Sequence, residues 1–371
     1  MNELLSLPKV LFGLFVPIAI VFIAGSNIPL PGIDTAFITR QSSGSSDLPE
    51  RLSLLALGLT PILNAFAISE LGRLLFPKRA GPAIVTGSTA AWTTILVRLI
   101  ALGIATLQSY SLAVALQAAG AAKPDAWAFV PVIIVSMVAA TAVLIRLGDC
   151  VKLPGLRHGF WLLWVAPLFL DFAENLQPSL DQTRTGAMPL LNWLLNAVYI
   201  CAAAAAVVAV NLHWLKAIGF NSKNPHDQDV DVLSIFVWPI FLASCAGGYL
   251  FITVLLLIPS AWLPPQSTTE VIAILTAAAL IPIFVFGYAR LHLKEIQVPS
   301  GKASAVFSAA AVVATMQIVL FLLGVFLGRA ANLPVSLNGI LLIVMTTTFL
   351  AIARRKMPSK DERLVALTNA G

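Results

Sequence analysis

Residues 25–34 read GSNIPLPGID, and residues 55–63 read LALGLTPIL. The first stretch closes an apolar run over 8–25, and the second opens an apolar run over 54–76. Because a membrane helix needs about 20 apolar residues, each run is long enough to predict a membrane span. The two stretches therefore predict two successive membrane helices joined by the segment that lies between them.

The composition of the whole chain indicates that lipid is its solvent. The 371 residues are 58% hydrophobic and only 11% charged. A soluble domain carries about 25% charged residues, and a water-soluble fold could not hide this much apolar surface. The composition therefore excludes an ordinary soluble protein and predicts an all-α integral membrane protein.

Apolar runs separated by polar breaks predict ten membrane spans, of which the fifth is the weakest. The runs cover residues 8–25, 54–76, 88–116, 127–147, 159–176, 190–215, 232–259, 268–291, 303–328 and 335–353. No small-residue cleavage site of the A-x-A type lies near the end of the first run. We therefore interpret that run as a retained span and not as a signal peptide.

The distribution of Lys and Arg indicates which side of the membrane each loop occupies. With ten spans both termini share a side, and the loops of that side carry 17 of the 23 basic residues. The opposite loops carry five, and Arg98 lies inside the third span. Because cytoplasmic loops are enriched in Lys and Arg, both termini are predicted to be cytoplasmic. The same bias accounts for the net charge of +6 without a nucleic-acid partner.

Residues that could support catalysis or metal binding are scarce. The histidines lack a partner at helical spacing, the three cysteines are far apart, and the chain has no H-E-x-x-H or G-x-S-x-G motif. Glu70 and Arg73 lie one helical turn apart, and we interpret them as an interfacial ion pair. No buried acid is obvious in the sequence as a partner for Arg98. The sequence therefore predicts no enzyme activity, no metal and no cofactor.

Both quoted stretches resemble signatures of the SecY family of protein-conducting channels. Residues 25–34 resemble the pattern G-x-x-I-P-x-P-G-I-D, which leads from the first helix into the plug. Residues 55–63 resemble F-A-L-G-I-M-P-Y-I in the helix that follows the plug. Weaker likenesses follow in the family's order over residues 103–106, 146–149, 155–159, 239–244 and 339–344. The chain thus resembles a divergent, shortened member of the family over nearly its whole length.

The resemblance implies a clamshell of two pseudo-symmetric five-helix halves, here 1–180 and 181–371, around an hourglass pore. The constriction of this pore is a ring of apolar side chains, which packs around any passing sequence and dewets against ions. Carried across by position, the pore ring falls on Leu59, Leu63, Phe160, Trp164, Phe241 and Ile343. The first two and the next two are each four residues apart, so each pair can share one helix face.

The resemblance also implies a plug and a lateral gate. The plug region, 35–52, is degenerate because it is polar and lacks an apolar helix, and the candidate plug residues are Asp34, Ser43 and Gly44. In the family the gate opens between helices two, three, seven and eight, and the candidate gate residues here are Thr60, Asn64, Arg98 and Ser244. Three of the six ring positions are aromatic, so bulky rings are expected to replace the plug as the seal.

The predicted function is that of a translocase subunit that passes polypeptides across the bacterial cytoplasmic membrane or inserts them laterally. The implied partners are the translocating polypeptide and small SecE-like and SecG-like membrane subunits. The internal segments 217–231 and 292–302 are short, so docking of SecA or a ribosome in the family's usual way is not predicted. The chain has no P-loop, so the energy must come from a partner or from the membrane potential.

One alternative from a different class stays open at this point. The chain could be a small-molecule permease, or a channel-like scaffold that conducts no polypeptide. A translocation channel requires a lateral opening between spans two and seven that is lined by the ring side chains. A permease would instead enclose a polar pocket around Arg98 and Asn64.

Overall fold

The computed structural model shows the chain as a series of helices joined by turns and loops. It describes residues 7–34, 37, 52–76, 88–123, 127–150, 160–219, 233–257, 266–295, 300–330 and 339–354. Ser43 and Gly44, together with nearly all of the predicted plug region, lie outside the described residues. Their predicted role stays a prediction.

Ten α-helices and one short 3-10 helix run through the described residues. The α-helices are α1 (Leu7–Asn27), α2 (Thr60–Leu75), α3 (Ser88–Ala118), α4 (Phe129–Cys150), α5 (Phe160–Arg184), α6 (Leu190–Ile218), α7 (Ser234–Leu257), α8 (Gln266–Glu295), α9 (Ala303–Ala330) and α10 (Gly339–Arg354). The 3-10 helix, Ser300–Lys302, precedes α9. Each predicted apolar run falls on one α-helix in chain order, and the all-α prediction is confirmed.

Five of the helical segments are long and apolar enough to cross a membrane, judged on the residues that the structure describes. They are Ile95–Ala118, Phe129–Cys150, Leu190–Ile218, Thr268–Lys294 and Ala303–Gly328. Three further apolar segments are shorter, namely Val16–Asn27, Ser234–Tyr249 and Gly339–Ala353. That all ten helices cross the membrane stays a prediction.

Helix α2 begins later than the predicted run 54–76. Residues 54–59 form turns instead of helix, and Gly58 has a φ of 51°, in the left-handed region that glycine adopts without steric cost. Pro61 then lies in the first helical turn, where its missing N–H has no helical partner to lose. The predicted start of the second helix was therefore wrong, because apolar character does not reveal this local turn.

The chain divides into two compact units. The N-terminal unit comprises residues 1–151 and 158–167, and the C-terminal unit comprises residues 152–157 and 168–371. The division falls inside α5, whereas the predicted halves meet after residue 180. The pseudo-symmetric relation between two five-helix halves stays a prediction.

In the N-terminal unit, α3 packs against both α2 and α4. A cluster of buried apolar side chains joins the segment after α1 to the end of α3 and the first half of α4. Its members are Leu30, Ile33, Leu52, Ala113, Leu116, Ala121, Phe129, Ile133 and Met137. The cluster anchors the segment that leads from α1 toward the predicted plug.

In the C-terminal unit, α7 packs against α8, α9 and α10, while α6 packs against α9 and α10. Every residue from 233 to 243 is buried, as expected for a helix that is apolar on all its faces. Gly247 permits a close approach, since a Cβ atom there would lie 3.2 Å from the Cβ atom of Ala277 in α8. The first half of α7, which carries Phe241, is therefore held on all sides.

Candidate functional site

Two backbone contacts join the two stretches that the sequence analysis singled out. An isolated antiparallel bridge pairs Pro29 with Ser53. The flanking residues exchange two N–H to carbonyl hydrogen bonds, Leu30 to Leu52 at 2.9 Å and Leu54 to Ile28 at 3.0 Å. The hydrogen bonds of this bridge come from the residues on either side of Pro29 and Ser53. Pro29 is therefore tolerated, because its nitrogen, which carries no hydrogen, is not needed as a donor. The segment after α1 is thus tied to the turns before α2.

The same segment is also tied to the turn after α3. The N–H of Asp34 donates to the carbonyl of Ala121 at 2.9 Å, and the N–H of Lys123 donates to the carbonyl of Gly32 at 3.0 Å. Gly32 has a φ of 82°, which a side chain at this position would disfavour. The predicted plug therefore starts from a backbone that is fixed at Asp34.

Leu59 and Leu63 are the ring positions predicted for the second span, and Leu59 directly precedes α2 whereas Leu63 lies in its first turn. Leu59 is buried and Leu63 is half-buried. A spacing of three residues places Leu63 and Phe66 on one face of α2, and Leu59 lies four residues before Leu63, outside the helix. The ring of Phe66 stacks on the ring of Phe160 in α5, with 4.5 Å between ring centroids and 13° between ring planes. Within the N-terminal unit, the predicted ring positions of α2 and α5 thus lie on helix faces that meet.

Phe160 and Trp164 belong to a run of packed aromatic rings at the start of α5. The ring centroid of Trp161 lies 4.5 Å from that of Phe160 and 5.6 Å from that of Trp164. Phe160 is buried and Trp164 is half-buried. Gly148 in α4 makes room for this run, since a Cβ atom there would lie 3.2 Å from the Cδ1 atom of Leu163. The two predicted ring positions of α5 therefore rest on a close-packed support.

Phe241 and Ile343 are the ring positions predicted in the C-terminal unit. The ring of Phe241 meets the ring of Trp238 edge to face at 6.0 Å, and the Phe241 side chain is buried. Ile343 in α10 is fully buried. Their helices, α7 and α10, pack against each other. All six predicted ring side chains are thus buried or half-buried.

The predicted gate residues differ in their surroundings. On α2, Thr60 is exposed and Asn64 is half-buried. In α7, the Ser244 hydroxyl donates to the carbonyl of Ile240 at 2.9 Å, within its own helix. This internal hydrogen bond satisfies the serine hydroxyl in an apolar bundle. That these side chains line a gate stays a prediction.

Arg98 has an acidic partner that the sequence analysis did not identify. Its Nη2 atom lies 2.8 Å from the Oδ2 atom of Asp149, near the end of α4. The side chain of Asp149 is 32% exposed and is therefore not a buried acid, and the pair depends on how α3 packs on α4 and not on spacing along the chain. Pairing also neutralises a charge that is costly inside a membrane.

The predicted pair of Glu70 and Arg73 is confirmed by a distance of 3.2 Å between Oε2 and Nη1. Both side chains are nearly buried, so the charges compensate each other one turn apart on α2. Among the described residues, no group of three or more His, Cys, Asp or Glu side chains is placed to hold a metal ion.

A groove of about 590 Å³ opens beside the start of α2. Its lining residues include Leu57, Thr60, Leu107, Gln108, Ser111 and Leu112. Thr60 is the predicted gate residue among them. Arg98 and Asn64, around which the permease alternative predicts a pocket, are not among the residues that line this groove.

Gln317 in α9 is a buried polar residue that the sequence analysis missed. Its side chain is fully buried, and its Nε2 atom lies 3.0 Å from the carbonyl oxygens of Ile235 and Phe236 in α7. The signal was present in the sequence: an amide in the middle of the run 303–328, and a proline, Pro239, inside another run. A proline in a membrane helix frees a carbonyl that a neighbouring side chain can satisfy.

Comparison with known proteins gives one family match and several relatives. The SecY family model matches residues 53–300. The chain is similar to the protein translocase subunit SecY of Vibrio cholerae, with 28% identity over 209 residues, which is 51% of this chain and 46% of that protein. It is also similar to the SecY subunit of Escherichia coli K12, with 28% identity over 211 residues, or 52% and 47% of the two chains. The chain spans about half the length of the curated relatives it matches.

Among solved structures, the chain is similar to one described as the structure of a protein conducting channel. The identity is 13%, the TM-score is 0.49, and the likeness covers 94% of this chain and 93% of the other. It is also similar to Sec61 in the canine ribosome-channel complex, with 13% identity, a TM-score of 0.48, and 94% and 93% coverage.

Proposed function

The chain belongs to the SecY family, and on that basis we propose that it is the protein-conducting channel subunit of a SecY-type preprotein translocase. The observation that supports this proposal is that four of the six predicted ring side chains are buried and that the other two, Leu63 and Trp164, are half-buried. Side chains that merely faced lipid would be exposed, as Ile68 on α2 is at 54%. A closed constriction requires apolar side chains that are withdrawn from the surface of the protein.

An apolar ring suits the passage of polypeptide for a physical reason. It makes no specific hydrogen bonds, so it accepts side chains of any kind, and a narrow apolar neck dewets and blocks ions. We propose that the aromatic rings of Phe160 and Trp164 supply the resting seal. The stack of Phe66 on Phe160 supports this role because it holds one of the sealing rings in place.

We further propose that a lateral gate opens between α2, α3, α7 and α8. Thr60, Asn64, Arg98 and Ser244 would line it. The exposure of Thr60 beside the groove supports its place in this proposal. The plug would begin at Asp34, whose backbone is anchored, and would continue through Ser43 and Gly44.

The setting of the channel is part of the same proposal. All ten helices would cross the bacterial cytoplasmic membrane, with both termini in the cytoplasm, as the distribution of Lys and Arg favours. SecE-like and SecG-like small subunits would accompany the chain, and the short internal segments give SecA or a ribosome no extended docking loop. Conduction makes and breaks no covalent bond, so the proposed role needs no enzyme activity, metal or cofactor.

Site-directed crosslinking tests the proposal. A cysteine-free chain is prepared by replacing Cys150, Cys201 and Cys245, and Leu63→Cys is then introduced. A secretory polypeptide with one cysteine is stalled during translocation in membranes that contain the variant. The proposal expects a crosslink between residue 63 and the stalled chain.

The matched control is Ile68→Cys, on the same helix but at a position with an exposed side chain. It is expected to give little or no crosslink to the stalled chain. If Leu63→Cys and Ile68→Cys react equally, or if neither reacts, the translocation channel is rejected. The permease or non-conducting scaffold then becomes the better explanation.

A further inference from the structure

Pro239 leaves one carbonyl of α7 without its usual helical donor. In an α-helix the N–H of a residue donates to the carbonyl four residues earlier, and proline has no N–H. The carbonyl that loses its donor belongs to Ile235, in the first turn of α7. Both Ile235 and its neighbour Phe236 are fully buried. The carbonyl must therefore find its donor inside the protein.

Gln317 of α9 supplies that donor. Its Nε2 atom lies 3.0 Å from the carbonyl oxygen of Ile235 and 3.0 Å from that of Phe236. An amide nitrogen carries two hydrogens, so one can be directed at each carbonyl. In lipid, where water is absent, such a donor from a neighbouring helix is what makes a proline inside a helix tolerable.

The orientation of the Gln317 amide follows from these two hydrogen bonds. With Nε2 toward α7, the Oε1 atom is buried and has no hydrogen-bond partner among the described residues. The reversed amide would direct its oxygen at two carbonyl oxygens, which repel it. The Gln317 amide thus donates hydrogen bonds to two carbonyls of another helix, while its own oxygen accepts none from the described residues.

We propose that Gln317 is a positioning residue that fixes the first turn of α7 against α9 and thereby holds Phe241 at its place in the ring. Phe241 follows Pro239 by two residues, and its ring rests on that of Trp238, within the buried first half of α7. The first turn of α7 cannot move away from α9 without leaving a buried carbonyl unsatisfied. The role of Phe241 rests on the proposed function, whereas the link between Gln317 and the carbonyl of Ile235 does not.

A double-mutant cycle tests the link. Gln317→Met keeps the length and bulk of the side chain but removes both donors, and Pro239→Ala restores the N–H that α7 lacks. In the otherwise unchanged chain, Gln317→Met is expected to lower the unfolding midpoint and to reduce the folding equilibrium constant by about tenfold, since a buried acceptor is left unsatisfied. In the Pro239→Ala chain, the same substitution is expected to change that constant by less than about twofold.

The outcomes of this cycle decide the proposal. An equal loss in both chains would overturn it, and so would failure of the double variant to fold. If Gln317→Met fails to fold alone but folds together with Pro239→Ala, the proposal is supported. Unfolding does not require translocation, so the link can be established even if the chain conducts no polypeptide.

A second measurement separates positioning from general stability. Cysteines at residues 241 and 63 are crosslinked in parallel to a stalled polypeptide, with and without Gln317→Met. The proposal expects a severalfold loss of crosslinking at residue 241, little change at residue 63, and recovery at residue 241 when Pro239→Ala is added. Parallel losses at both residues would overturn the positioning role.

Discussion

The ring of Phe66 in α2 lies flat on the ring of Phe160 in α5, with 4.5 Å between their centroids. Phe66 lies outside the predicted ring, but it holds a residue that is inside it. A double-mutant cycle with Phe66→Leu and Phe160→Leu is therefore expected to show a coupling of about 0.5–1.5 kcal/mol, because either substitution alone already removes the stacking. The measurement is unfolding of the purified chain in mixed detergent micelles, followed by tryptophan fluorescence.

The control for this cycle pairs Phe66→Leu with Phe129→Leu. Phe129 is buried in the cluster that anchors the segment after α1, so its contribution should be independent of the stack. The two losses are expected to add within about 0.5 kcal/mol. Additive losses for Phe66 and Phe160 as well would show that the two rings do not support each other.

A second prediction concerns the ion pair of Arg98 and Asp149. Arg98→Leu or Asp149→Leu alone is expected to destabilise the N-terminal unit, because each leaves one charge without its partner at the edge of an apolar bundle. The double substitution to leucine should be less destabilising than the worse of the two single substitutions, since it leaves no lone charge. Unfolding midpoints of the three variants measure this.

The matched control for that pair is Arg184→Leu. Arg184 pairs with Asp181 at 3.4 Å, and these side chains are 80% and 58% exposed, against 42% and 32% for Arg98 and Asp149. An exposed pair of this kind contributes about 0–1 kcal/mol, so its loss should be barely measurable. If Arg98→Leu is as mild as Arg184→Leu, the pair of Arg98 and Asp149 is no more than a surface contact.

A third prediction follows from the approach of α1 to the turns before α2. A Cβ atom at Gly25 would overlap the Cδ1 atom of Leu55. Gly25→Ala is therefore expected to destabilise the chain by about 1–3 kcal/mol, and Leu55→Ala should relieve most of the clash. Gly103→Ala is the control, because a Cβ atom there would meet no described heavy atom within 4 Å. Destabilisation by Gly25→Ala that Leu55→Ala does not reduce would contradict this account.

The helices could be predicted from the sequence because long apolar runs alternate with short polar breaks. A membrane helix must be an unbroken run of apolar residues, and each predicted run coincides with one helix of the structure. The start of α2 could not be predicted in this way. Leu54 and Leu55 are apolar, yet they lie in turns that are held by hydrogen bonds to Ile28 and Gly25. A hydropathy pattern does not predict such hydrogen bonds between distant parts of the chain.

Side-chain partners were harder to predict than helices for a related reason. Arg98 and Asp149 meet because α3 and α4 pack in one register, which spacing along the chain does not determine. Glu70 and Arg73 could be paired in advance because one helical turn separates them. Gln317 is conspicuous in the sequence as an amide inside an apolar run, but its partner, the carbonyl of Ile235, depends on how α9 packs on α7.

The last prediction tests the aromatic seal. Phe160→Ala removes a buried ring from the predicted constriction and is expected to raise the ion conductance of the resting protein severalfold in planar bilayers, because a wider neck no longer dewets. Phe286→Ala in α8 is the control. Phe286 is half-buried and contacts the ring of Phe307 at 6.4 Å, so its loss removes an aromatic contact away from the predicted ring positions. Equal conductance of the two variants would mean that the leak follows from loosened packing in general. Phe160 would then not be the seal of the resting channel.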